Sequence, residues 1–317
     1  MNVCLKDITE AYGLALRNVG QIKNNVIVLD ADLADSCKTE AFRATFPDRV
    51  FDLGVAEQSL PTFAAGLALC GKIPVCNTFA VFAVYRGLDM IRQSVAYNRA
   101  NVKIVGHAAG QSMGYTGPSH HTIEDFSVLR AIPNFTIFSP CDAIEVEKVV
   151  WTMVEIDGPV YLRLARANVP DLHSPDYHFY VGKTECLRDG SDVSMFATGE
   201  CVHLALEAAN QLESKNIYAQ VINVPTIKPL PPEQIIQYGE KTLGAVTIED
   251  HNIYGGLGSA ITEIYSEYLC KPVRRVGIPD TFTESDTGKA LKSAYGIHVE
   301  NIINKVNEVI HWRNKVL

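Results

Sequence analysis

Short apolar runs separated by stretches with helical patterning recur along almost the whole chain, and this alternation limits the fold more than any other feature. Val26-Ile27-Val28-Leu29, Val50-Phe51-Asp52-Leu53, Val102-Lys103-Ile104-Val105, Phe135-Thr136-Ile137-Phe138 and Val160-Tyr161-Leu162-Arg163-Leu164 read as strands. Residues 9–18, 57–69, 78–97 and 143–157 read as the helices between them. Strands that are apolar throughout must be covered on both faces, and parallel neighbours need a crossover connection, which a helix supplies. The expected fold class is therefore α/β, built on a largely parallel sheet.

The pattern is interrupted once. A polar stretch from 168 to 192, carrying Pro170, Pro175, Gly182 and Gly190, reads as a linker. Strands resume at 193–196, 218–222 and 244–248, with helices at 201–215, 258–268 and 299–312. The expected organisation is a first domain over 1–170, a linker over 171–192 and a smaller α/β domain over 193–317. A chain of 317 residues has room for about two cores of ordinary size.

Charge and composition remove several functions. With 28 Lys+Arg against 36 Asp+Glu the net charge is −8, a poor basis for binding a phosphate backbone, so no nucleic-acid partner is expected. The uncharged stretch 73–85 is shorter than the ~20 residues a spanning helix needs, and no membrane partner is expected. The start, Met1-Asn2-Val3-Cys4-Leu5-Lys6-Asp7, lacks the basic and apolar regions of a signal peptide. Eight cysteines without CxxC spacing read as buried thiols in a reducing, cytoplasmic setting.

In a parallel α/β sheet, ligands bind beyond the carboxyl ends of the strands. Asp30, Asp32, Glu57, His107, His120, His121 and Arg166 fall there in the first half, against Glu249, Asp250 and His251 in the second. Glu57, in Gly54-Val55-Ala56-Glu57-Gln58, could simply serve a helix N-terminus. Phe79, Phe82 and Tyr85, spaced i, i+3, i+6, would form one aromatic stripe on a helix, either core or a cage for a flat, nitrogen-bearing ring. The loop Gly110–His121 has three glycines, one proline and two adjacent histidines in 12 residues, a composition that favours function over packing. Gly255-Gly256-Leu257-Gly258 lacks GxGxxG spacing and reads as packing at a helix start.

Taken together these residues resemble a known family. Asp30-Ala31-Asp32-Leu33, Phe51-Asp52-Leu53-Gly54-Val55-Ala56-Glu57-Gln58, Thr78-Phe79-Ala80-Val81-Phe82, Gly117-Pro118-Ser119-His120, Asp157-Gly158-Pro159-Val160-Tyr161-Leu162-Arg163 and Glu249-Asp250-His251-Asn252-Ile253-Tyr254-Gly255-Gly256-Leu257-Gly258 are similar, in this order, to the C-terminal half of transketolase, and most closely to the smaller subunit of split, two-chain transketolases. The resemblance implies a pyrimidine-binding domain of a thiamine diphosphate enzyme followed by the transketolase C-terminal domain. It implies that Glu57 hydrogen-bonds the ring nitrogen of the aminopyrimidine and serves the proton relay to the thiazolium carbon. Phe82 would stack on the pyrimidine, with Phe79 and Tyr85 completing the pocket and Asp32 near the thiazolium. His120 would lie by the substrate's reacting oxygens and Arg166 would grip its terminal phosphate, with Ser36 a further contact to an anionic tail.

The family holds the cofactor's diphosphate through a divalent metal on a Gly-Asp-Gly segment, which this sequence lacks. The resemblance therefore implies a separate N-terminal, diphosphate-binding partner subunit that carries the Mg2+ or Ca2+ ligands, in an α2β2 assembly. There are departures too. Thr116 and Tyr115 stand where the family has an aspartate and a glutamate. Ala108 stands where it has a substrate histidine, with His107 adjacent, and no arginine follows Thr9. These positions put ordinary pentose phosphates in question and leave an unusual sugar phosphate or sulfosugar open. The competing readings are the beta subunit of a 2-oxo acid dehydrogenase decarboxylating component, a 1-deoxyxylulose 5-phosphate synthase, which normally has both cofactor domains on one chain, and a partner-binding relic without chemistry.

Overall fold

The computed structural model describes residues 5–316. β1 (Leu5–Asp7) leads into α1 (Ile8–Ile22), followed by β2 (Val26–Asp30), α2 (Glu40–Thr45), β3 (Val50–Asp52), α3 (Leu60–Leu69), β4 (Ile73–Phe79) and α4 (Ala80–Met90). After α4 the helix continues as one wide π-type segment over Ile91–Tyr97. β5 (Lys103–His107), α5 (Asp125–Ala131), β6 (Thr136–Phe138), α6 (Ala143–Glu155), β7 (Val160–Arg163) and β8 (Asn168–Pro170) come next. The second half runs β9 (Glu185–Arg188), β10 (Val193–Ala197), α7 (Val202–Glu213), β11 (Ala219–Asn223), β12 (Thr226–Lys228), α8 (Pro232–Glu240), β13 (Ala245–Asn252), α9 (Leu257–Tyr268), β14 (Val273–Ile278), α10 (Gly288–Ala294) and α11 (Val299–Val316).

The first sheet is ordered β12-β6-β7-β5-β4-β2-β3 and the second β14-β13-β10-β11-β9. β2, β4, β5 and β7 are buried at every position, as their apolar runs require. Every pairing inside the first sheet is parallel except that of β12, which is antiparallel to β6. The second half of the chain thus adds a strand to the sheet of the first. One apolar cluster runs across this seam, joining Phe126, Leu129 and Ile132 to Phe196, Ile222, Leu257 and Ile261. Truncating a side chain such as Phe126 in such a cluster costs about 3–5 kcal/mol.

The differences from the sequence reading have physical causes. The helix expected from 78 starts at Ala80, because Ile73–Phe79 is a strand between β2 and β5. Phe79 therefore closes a strand and Phe82 lies in the first turn of α4, so the expected helical stripe of Phe79, Phe82 and Tyr85 is corrected to a strand end followed by a helix. The helix expected from 57 begins at Leu60, with Pro61 in its first turn. The polar stretch 168–192 holds two strands, β8 antiparallel to β1 and β9 antiparallel to β11; hydrogen bonds to neighbouring edges override its loop-like composition. The seven described cysteines are free thiols: Cys37, Cys76, Cys141 and Cys201 are buried as expected, while Cys70, Cys186 and Cys270 are exposed, and Cys4 lies outside the described residues. Among the described residues no helix is long and apolar enough to cross a membrane.

Candidate functional site

The chain passes from β2 to β3 on one side and then returns across β2 to β4 on the other. This reversal of direction leaves a crevice beyond the carboxyl ends of β2 and β4, the place where open α/β sheets take ligands. Asp30 ends β2, and Asn77 lies near the end of β4. The Asn77 amide donates to Val75 O at 3.0 Å, which turns its Oδ1 toward Tyr12 and His107. Tyr12 donates to that oxygen at 2.5 Å and His107 Nε2 at 3.3 Å. His107 is buried, its Nδ1 has no partner, and burial lowers its pKa to about 3, so the ring is neutral. Burial also pushes Asp30 up to about 6, with Thr39 and Arg43 opposing.

Glu57 lies in the turn between β3 and α3, only 2% exposed. Its Oε1 accepts from Arg86 at 2.7 Å, and its Oε2 has no partner. An unpaired buried carboxylate oxygen is costly, and Arg86, which holds the other oxygen, also lies over the Phe82 ring. Phe82 stacks obliquely against Phe79 with ring centres 6.0 Å apart, and His120 meets Phe82 edge-on at 5.2 Å and Phe79 at 6.3 Å. Phe79, Phe82 and His120 are therefore one cluster, and Arg86 links it to Glu57. Tyr85 points elsewhere: it is half exposed and hydrogen-bonded to Glu124.

The loop Gly110–His121 is tied at its base by paired hydrogen bonds between Gly110 and Thr122 (2.9 and 3.1 Å). It leaves β5 through Ala108, at φ 54°, a strained geometry for a residue with a Cβ. The second half of the chain backs it closely. Asp250 accepts from the Gln111 backbone N–H at 3.0 Å, and His121 joins Thr283 at 2.6 Å and Gly114 O at 3.1 Å. A Cβ on Gly114, which has φ 40°, would lie 2.4 Å from Asp286 O, so that position requires glycine. Ser119 Oγ lies 3.0 Å from His120 Nδ1, which orients the ring. Thr116 is exposed, with its hydroxyl donating to Met113 O at 3.3 Å.

Beneath the loop lies a buried charged seam. Arg163 Nε donates to Asp125 at 2.8 Å, its Nη2 to Thr122 O and Asp250 O, and Tyr161 donates to Asp125 at 2.7 Å. Glu249 accepts from the first amides of α9 at 2.7 Å, and burial raises it to about 7. Lys292 pairs with Glu200 and approaches Asp250 at 3.9 Å. The Glu249-Asp250-His251 run is thus part of the joint between the halves.

Three other expected residues are exposed or half-buried. Asp32 is exposed at φ 58°, its amide donating to Asp52 at 2.9 Å. Ser36 is half-buried beside Cys37. Arg166 is exposed, 3.8 Å from Met113 Sδ, and acts electrostatically on the buried Cys37 thiol. Sequence reasoning missed Arg86, Asn77 and Tyr12. The signal for Arg86 was its position four residues after Phe82, on the same face of a helix. Cys141, Asp142 and His173 gather ligand-type atoms within 4.8 Å. Asp142 already accepts from Glu145, Leu172 and His173 (2.7, 2.7 and 2.8 Å), so this group is a helix cap and clamp.

Two family models match: "Transketolase, pyrimidine binding domain" over residues 6–171 and "Transketolase, C-terminal domain" over 182–302. The chain is 37% identical to a 6-deoxy-6-sulfo-D-fructose transketolase subunit of Clostridium sp. (strain MSTE9), covering 97% of this chain and 95% of that one. It is 35% identical to one of the subunits of the apulose-4-phosphate transketolase of Phocaeicola vulgatus, with 98% of each covered. Among solved structures, a split-gene transketolase described as an inactive beta4 tetramer superposes with a TM-score of 0.90 at 42% identity, covering 96% of this chain and 98% of that one.

Proposed function

The chain belongs to the transketolase family, and we propose that within it this protein is the pyrimidine-binding subunit of a two-chain, thiamine diphosphate-dependent transferase. It moves a two-carbon ketol unit from a ketose donor to an aldose acceptor. The observation that carries the reading is Glu57: a buried carboxylate with one oxygen unpartnered, linked through Arg86 to the Phe79–Phe82–His120 cluster. That donor set suits an aminopyrimidine, a flat ring with a nitrogen at its edge. When bound, thiamine diphosphate supplies the carbanion chemistry needed to break and form the bond beside a carbonyl.

This chain's residues do the rest. Glu57 holds a proton at the pyrimidine edge, Phe82 and Phe79 offer the apolar wall, and His120, fixed by Ser119, stands ready to exchange a proton with a substrate oxygen. Neutral His107, its Nε2–H given to Asn77, can accept a hydrogen bond at Nδ1 without adding charge. Arg166, with Ser36, takes the anionic tail of the sugar, and the exposed Thr116 serves the donor sugar's hydroxyls. The sugars named for the two relatives carry a sulfonate or a phosphate, and an arginine fork suits either. Asp32 lies on the thiazolium side. The diphosphate and its Mg2+ or Ca2+ belong to the partner subunit, in an α2β2 assembly, since no Gly-Asp-Gly segment occurs here.

The test is to co-purify the chain with its diphosphate-binding partner and screen ketose phosphates and sulfonates against aldose acceptors. Ketol transfer is expected. Turnover of a 2-oxo acid with an artificial electron acceptor, in place of ketol transfer, would overturn the reading in favour of a dehydrogenase component.

A further inference from the structure

Arg86 already occupies the face of Phe82 and one oxygen of Glu57. Its guanidinium carbon lies 4.0 Å from the centre of the Phe82 ring, and the same group donates to Glu57 Oε1 at 2.7 Å. A guanidinium is planar, presents N–H donors at its edge and stacks on aromatic faces. An aminopyrimidine would likewise show Phe82 a flat face and, once its ring nitrogen has taken up the proton, show Glu57 an N–H. Two flat groups cannot share one ring face at that distance. The two partners of the ion pair also differ: Glu57 is 2% exposed, but the Arg86 side chain is 46% exposed, so it can swing into water without opening the core.

We propose that Arg86 is an internal stand-in for the cofactor's pyrimidine. In the lone chain it covers Phe82 and supplies the counter-charge that a buried carboxylate needs. On loading it leaves the ring and Glu57, and this displacement sets cofactor affinity. The inference rests on that place being the pyrimidine site. It makes Arg86 a residue that tunes loading, distinct from those that touch the reacting atoms.

Thiamine diphosphate, with saturating Mg2+, is titrated calorimetrically into the complex rebuilt with wild-type, Arg86→Met or Arg86→Lys chain. Methionine keeps the apolar stem and removes the planar cation. The Met variant is expected to bind about tenfold more tightly, the gain when the Phe82 face is open about one-tenth of the time in the wild type. The Lys variant, which keeps the charge and with it the folded chain, is expected to tighten by a smaller factor. The lone Arg86→Met chain should melt below wild type at neutral pH, and adding Glu57→Gln should restore much of the loss. Unchanged or weaker cofactor binding by both single variants would overturn the stand-in role. A wild-type complex that binds no cofactor would instead sink the functional reading on which it rests.

Discussion

At the seam between the two halves, Asp125 is paired with Arg163, which is 6% exposed and further fixed by two backbone carbonyls. At the mouth of the first sheet, Glu57 is paired with Arg86, which is 46% exposed, and its second oxygen is bare. Both acids are buried and both have an arginine. The seam's cation cannot leave without opening the core, whereas the mouth's cation can. A buried charge whose partner is locked belongs to the architecture, and one whose partner is exposed can be reached by a ligand. The same chemistry thus joins the halves at one place and faces solvent at the other.

That contrast can be broken in several ways. The largest effect is expected from Glu57→Ala in the assembled complex: turnover should fall by about 10²–10⁴-fold, as when a positioned acid–base group is lost, while size-exclusion profiles stay unchanged. Near-wild-type turnover with saturating cofactor would show that Glu57 is not the relay. Asp125→Ala should cost about 3–5 kcal/mol in urea denaturation, because Arg163 would be left buried without its carboxylate. A loss below about 1 kcal/mol, the size of a surface pair, would erase the distinction between seam and mouth.

Two buried histidines should sharpen the comparison through pH. His107, at the mouth, is lowered to about 3 by burial. Its folded-state pKa lies below the unfolded one, so its contribution holds above about pH 6.5 and is lost as pH falls toward 3. For His173 burial alone would lower the pKa, but hydrogen bonds to Asp142 and Glu185 raise it to about 10. That contribution is complete below about pH 6.5 and is lost as pH rises toward 10. Urea midpoints measured across pH 4–10 should therefore flatten on the acid side in His107→Gln and on the alkaline side in His173→Gln. The reverse pattern would contradict both placements. The smallest effect belongs to Phe82→Leu, which keeps the apolar volume but not the ring: cofactor affinity should weaken by about 2–10-fold, the worth of one aromatic stack. An unchanged affinity would remove Phe82 from the pyrimidine wall.

The α/β class and most strands were legible in the sequence because β2, β5 and β7 are short apolar runs buried on both faces. β4 was not, since Ile73–Phe79 flows directly into an equally apolar helix and periodicity cannot separate the two. β8, β9 and β12 were hidden for a different reason: they are short edge pairings, fixed by a neighbour's hydrogen bonds and not by their own composition. The site divides in the same way. Glu57, Phe82 and His120 stood out by motif, and the structure links them through Arg86 and the ring contact of Phe82 with His120. Arg86, Asn77 and Asp125 did not, because what distinguishes them is a partner distant in sequence: Arg86 reaches back 29 residues to Glu57, and Arg163 reaches 38 to Asp125. The polar stretch 168–192 concealed His173, whose clamp likewise exists only once α6 and β9 are in place.

The central claim is that this chain carries half of a cofactor site, with the pyrimidine end built and the diphosphate end supplied from outside. It is tested most directly by titrating thiamine diphosphate, with saturating Mg2+, into the chain alone and into the chain with its partner subunit. The account predicts tight, saturable binding only in the complex. Equal affinity for the chain alone would contradict it.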